Sequence, residues 1–91
     1  MSSTNPYSSV GDFASRGVIV QSSIELGAIV REQRKRLALK QLDIAGLGNT
    51  GNRFIVDLEN GKPTVQLQKV LDVMDLLGLE MVVRPKAAQL L

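Results

Sequence analysis

LKQLDIAGLGNTGNRFIVDLENGK, from Leu39 to Lys62, decides the fold. It reads as a short helix, a dense turn, a second helix and a stop. Gly48-Asn49-Thr50-Gly51 is the turn, because Gly and Asn both accept positive φ at low steric cost. The spacing predicts one helix over about Gln41 to Leu47, with Leu42, Ala45 and Ile44 as candidates for its inner face. Ala45 is expected to matter by being small, where two helices meet at a steep angle. A second helix follows over about Asn52 to Asn60, burying Phe54, Ile55 and Leu58. Gly61 closes it in the left-handed conformation, and Pro63 prevents its continuation.

On the N-terminal side, Ser22 and Glu25 match a capping box that starts a helix running to about Leu37. Leu26, Ile29, Val30 and Leu37 form its apolar stripe. Arg31, Arg34, Lys35, Arg36 and Lys40 stand against Glu32 alone between Arg31 and Lys40. That excess could face phosphate, but on charge alone a solvated helix face, with stem carbons covering apolar neighbours, is the favoured reading. On the C-terminal side, Thr64 is the expected cap of a helix over about Val65 to Leu77. Leu67, Val70, Leu71, Met74 and Leu77 are its expected core, and Gly78 ends it.

Leu79, Glu80, Met81, Val82, Val83 and Arg84 form a β-prone run stopped by Pro85. A lone strand in a small helical domain leaves its backbone groups unpaired. Pairing with the same strand of a second copy would satisfy them, which points to a homodimer. The alternative is an extended tail lying along the helices. Residues 1–21 are expected to form a flexible arm, 22–84 the folded domain and 85–91 a tail. Within the arm, Gly17-Val18-Ile19-Val20 suits a strand or a docking peptide.

Composition narrows the function. The 91 residues allow one domain, and 3% aromatics make its core aliphatic. The chain has no Cys and no His, so it lacks thiolate ligands and the commonest general base. Its nine acidic residues are scattered. Asp72 and Asp75 fit a solvated face, and Gly46-Leu47-Gly48 is too short for a nucleotide loop. We therefore expect no enzyme, no metal and no cofactor. The polar first residues do not resemble a signal peptide, and no apolar run approaches the ~20 residues of a membrane helix. The expectation is a cytoplasmic protein with no membrane partner.

The pattern Leu26, Val30-Arg31, Arg34, Leu39-x-Gln41-x-x-Ile44-Ala45, Ile55, Leu58-Glu59-x-Gly61-Lys62 resembles the phage-repressor-like (XRE-type) helix-turn-helix family. With GKPTVQLQKVLDVMDLLGLEM added, the chain is similar to one branch, the HipB-type antitoxins, over about Leu26 to Val83. The resemblance implies an all-α domain of four to five helices with a short C-terminal dimerising β-strand. It implies a homodimer that binds palindromic double-stranded operator DNA, represses its own operon and binds a HipA-type kinase toxin. A solitary repressor and a protein-interaction module that no longer reads DNA are the alternatives.

The resemblance also implies roles. The helix from Asn52 would enter the major groove. Asn52 and Arg53 would read base edges, since Asn suits adenine and Arg suits guanine. Val56 would touch a thymine methyl, and Asp57 would accept from cytosine. Phe54 would either pack against the preceding helix or lean on the sugar-phosphate edge. Lys40, Gln41, Asn60 and Lys62 would hold phosphates, fixing register without reading sequence. Arg34 and Glu59 would form a partly buried ion pair that braces the reading helix. Three departures stand out: Lys40 where Ser or Thr usually caps, Asn49-Thr50-Gly51 where Gly, an apolar residue and Ser or Thr are usual, and no terminal Trp.

Overall fold

The computed structural model describes residues 17–48 and 50–86. Of the arm expected over residues 1–21, residues 1–16 lie outside the described residues, as do residues 87–91 of the tail expected over 85–91. Among the described residues four helices follow one another: α1 (Ser23–Arg36), α2 (Gln41–Gly48), α3 (Asn52–Glu59) and α4 (Leu67–Leu76). No strand is formed among the described residues. Gly17 to Gln21 and Leu79 to Lys86 run outside any helix, and Val18, Ile19, Val20, Met81, Val82 and Val83 are exposed. A single chain supplies the 79–84 run with no neighbouring strand.

One aliphatic core joins the helices. Val30 comes from α1, Ile44 and Ala45 from α2, Ile55 and Leu58 from α3, and Val70, Val73, Met74 with Leu77 from α4 and its end. Leu26, Leu39, Phe54, Val65 and Leu79 pack around it half-buried. Helix α3 lies against both α1 and α2, and α4 covers α2.

Ser22 caps α1 as expected: its hydroxyl accepts from the Glu25 amide at 3.1 Å. The Glu25 carboxylate reaches one residue further back than a capping box requires and accepts from the Gln21 amide at 2.6 Å. Three helix ends use one device. The amides of Leu39, Lys62 and Leu79 donate five residues back, to the carbonyls of Arg34, Asp57 and Met74. Each loop passes through a positive-φ residue, respectively Ala38, Gly61 and Gly78. This is the Schellman ending, for which Gly is the usual residue. Ala38 holds φ 58° at a steric cost that Gly would avoid.

Four expectations need correction. Leu37 is 46% exposed, because α1 ends at Arg36 and the chain turns away there. Leu42 is 68% exposed, since two residues before Ile44 it points about 200° around the helix from it. The fourth helix starts at Leu67 rather than Val65, because Pro63 and Thr64 form a turn and Gln66 takes the extended cap conformation. Its inner stripe is rotated toward Val73, which is fully buried, and away from Leu67, which is 61% exposed.

A small residue governs a close helix crossing at Gly27 of α1. A Cβ there would lie 2.8 Å from the Glu59 carbonyl oxygen, and nearer still to that of Leu58. Gly27, Val30 and Arg34 recur at i, i+3 and i+7, so they share one face of α1. The end of α3 rests on that face.

Candidate nucleic-acid interface

The site is built from α1 outward. Arg34 and Glu59 form a bidentate pair, with Nε to Oε2 at 2.6 Å and Nη2 to Oε1 at 3.0 Å. Their side chains are only 10% and 2% exposed. The remaining donor, Nη1, goes to the Leu39 carbonyl at 2.8 Å. Gln41 Nε2 donates to Glu59 Oε1 at 3.0 Å. One carboxylate thus ties α1, the entry to α2 and the last residue of α3. The forked geometry of Arg suits this arrangement, and the pair's polar groups are well satisfied. A second tie runs parallel to it: the Ser23 hydroxyl donates to the Gly61 carbonyl at 2.8 Å. At the far end of α1, Gln33 Nε2 donates to the Leu77 carbonyl at 2.9 Å.

The start of α2 is capped without Ser or Thr. Asp43 accepts from the Lys40 amide at 2.7 Å, which is the carboxylate half of a capping box without its hydroxyl half. The Lys40 side chain is left exposed at that helix start. Gln41 is half-buried, and its amide group is engaged by Glu59, which ties the side chain to the brace.

The turn into α3 carries two signatures of its unusual sequence. Gly51 is the cap of α3 with φ 83° and ψ 146°, a conformation close to the region that only Gly occupies readily. It offers no side-chain cap. Thr50 Oγ1 is buried without a hydrogen-bond partner. The Thr50 methyl approaches the space beside Gly48, so this side chain fills the interior position where the resemblance leads one to expect an apolar residue.

Asn52 and Arg53 stand exposed at the start of α3, with the Arg53 side chain 87% accessible. Val56 and Asp57 are half-buried one turn on. Asp57 meets two cations: Arg53 Nε at 3.3 Å from Oδ1 and Lys62 Nζ at 3.5 Å from Oδ2. Asn60 and Lys62 are exposed just after the helix. Phe54 is half-buried against the core, with Lys69 Nζ 5.8 Å from its ring centroid. Asn52, Arg53, Asp57 and Lys62 therefore belong to one helix and its exit, while Arg34, Gln41 and Glu59 lie together in the brace.

Several supporting residues escaped the sequence reading. Gly27 had a signal, since a Gly inside a helical pattern costs about 1 kcal/mol and implies a packing reason. Ser23, Gln33 and Asp43 had none beyond their polarity, because their partners are distant backbone groups or a neighbouring amide.

Two short helices meeting at a tight turn, with the second locked at its end and exposed at its start, define a helix-turn-helix. No protein-family model matches the chain. It is 49% identical over 59 residues to an uncharacterized HTH-type transcriptional regulator, y4mF, of Sinorhizobium fredii; the match spans 65% of this chain and 78% of that protein. The chain belongs to the HTH-type transcriptional regulators.

Two outcomes are expected from the brace and the turn. Glu59→Ala leaves Arg34 charged and unpaired in the interior. It should lower unfolding free energy by about 3–5 kcal/mol in urea titration; a loss below 1 kcal/mol would mean that the site admits water. Thr50→Val removes the unpartnered hydroxyl while keeping the branched shape, and should raise stability by about 1 kcal/mol. A lower melting temperature would show that Oγ1 has a partner in solution.

Proposed function

We propose that the chain is a homodimeric, sequence-specific DNA-binding autorepressor. The carrying observation is the contrast along α3: its last residue is fixed by Arg34, whereas Asn52 and Arg53 at its start face solvent. A reading helix needs that combination, because base edges are discriminated only by side chains held in register. In this reading α3 enters the major groove, Asn52 and Arg53 contact bases, and Val56 touches a thymine methyl. Lys40, Asn60 and Lys62 hold phosphates. Gln41 contributes a phosphate contact only through groups that Glu59 leaves free. The chain catalyses no reaction and works in the cytoplasm, where its DNA is.

The dimer is proposed to form through Leu79 to Arg84 of two copies. The support is the exposure of Met81, Val82 and Val83 on a segment outside any helix. Such a strand pair would satisfy the backbone groups and cover apolar side chains together. The antitoxin role, with a HipA-type kinase toxin as protein partner, is supported by the resemblance of the region from Gly61 to Met81 to HipB-type antitoxins. A solitary repressor is the alternative, and a kinase-like gene beside this one distinguishes the two.

Gel shift with the region upstream of the gene tests the DNA reading. Binding should weaken steeply between about 50 and 200 mM salt, because phosphate contacts release counterions. Arg53→Ala should cost about 1–3 kcal/mol on the operator and much less on random duplex. Equal losses on both DNAs would remove Arg53 as a reader. Failure to bind any upstream duplex at low salt would leave only a protein-interaction role. For the dimer, Val82→Pro removes a ladder donor and should shift the monomer–dimer equilibrium toward monomer in sedimentation. An unchanged equilibrium would exclude the strand pairing.

A further inference from the structure

Asp57 is an odd residue for a surface that meets phosphates. A carboxylate facing DNA is repelled unless it is neutralised, and a direct contact to cytosine needs a carboxylate that projects to the base edge. Here each oxygen already faces a cation: Oδ1 lies 3.3 Å from Arg53 Nε and Oδ2 lies 3.5 Å from Lys62 Nζ. The Asp57 side chain is 20% exposed, whereas those of Arg53 and Lys62 are 87% and 52% exposed. The acid therefore sits beneath the two bases, which project beyond it.

We propose that Asp57 is a positioning residue that aims Arg53 at a guanine and does not itself contact a base. The inference rests on the reading of Arg53 as a base-contacting residue. Its physical basis is which donor Asp57 takes. The guanidinium has five N–H donors in a fixed plane. Asp57 Oδ1 faces the Nε edge, and with the Arg53 side chain 87% exposed the guanidinium remains open to solvent among the described residues. Its terminal Nη1/Nη2 edge matches the O6 and N7 acceptors of guanine. Arg53 and Asp57 are i and i+4 on α3, so the helix itself sets the angle of the plane. Lys62 neutralises the other oxygen, which couples a phosphate-holding cation to the same carboxylate. Exposed pairs of this kind add little to folding stability, so the role is orientation of a long side chain that would otherwise sample many rotamers.

The test is selection of binding sites from a random duplex pool by four full-length proteins: wild type, Arg53→Ala, Asp57→Asn, and the double variant, each checked for an unchanged melting temperature. Wild type should prefer guanine at one position of each half-site, and Arg53→Ala should lose that preference. Asp57→Asn should bind random duplex as tightly or more tightly, since it removes a negative charge. Its guanine preference at the same position should fall by about three- to tenfold, part of what a bidentate arginine supplies. The double variant should match Arg53→Ala. Three results would overturn the proposal: an undiminished guanine preference in Asp57→Asn, loss of preference at a different position, or a further loss in the double variant. If Arg53→Ala keeps every preference, the arginine reading itself fails, an outcome distinct from these three.

Discussion

Everything about the pose of α3 depends on the Arg34–Glu59 pair. Its two side chains are almost wholly removed from water, and their polar atoms are used: two donors of Arg34 bind the carboxylate, a third binds the Leu39 carbonyl, and Gln41 adds another donor. A buried pair of this kind adds little net stability compared with an apolar replacement, but a lone member is costly. Its effect is to exclude alternatives. Rotating α3 or sliding it along α1 would strand a charge. Gly27 makes the fit close enough for this to matter, because the carbonyls of Leu58 and Glu59 occupy the space that any side chain at position 27 would need. The Ser23 contact to Gly61 fixes the exit of the helix in the same way.

The opposite end of α3 is built differently. Its cap is a Gly without a side-chain acceptor, preceded by a Thr whose buried hydroxyl is unpaired. The reading end is thus held chiefly by α3's own core residues, Ile55 and Leu58, and by the brace at the far end. An HTH-type regulator needs rigidity in the helix and accessible side chains at its start. The distribution of contacts here supplies both: polar ties concentrate at Glu59 and Gly61, and Asn52 and Arg53 stay accessible.

Much of this was legible in the chain. The turn signals at Gly48 to Gly51 and Gly61 to Pro63 marked the end of α2 and both ends of α3, and the Ser22–Glu25 spacing marked the start of the first helix. The phase of the stripes was harder. Leu37, Leu42 and Leu67 are as apolar as any core residue, yet they are exposed, and Val73 took a place that Leu67 and Leu71 were expected to share. Apolar character identifies candidates for a core, whereas neighbouring helices decide which face turns inward. Among the site residues, the resemblance to the repressor-like helix-turn-helix family carried the Arg34–Glu59 brace. It did not carry the engagement of Gln41 by Glu59, or of Asp57 by Arg53 and Lys62, because both depend on how a side chain folds back after the helices have docked.

The central claim is that the exposed start of α3, held from its far end, is the surface that meets DNA. Titration of isotopically labelled protein with a duplex from upstream of its gene, followed by amide chemical shifts, tests this most directly. The expected result is a set of perturbations centred on residues 51–57, with further shifts at 40–41 and 60–62 and little change across α4. Perturbations confined to α4 and residues 79–84, with residues 51–57 unmoved, would contradict the claim.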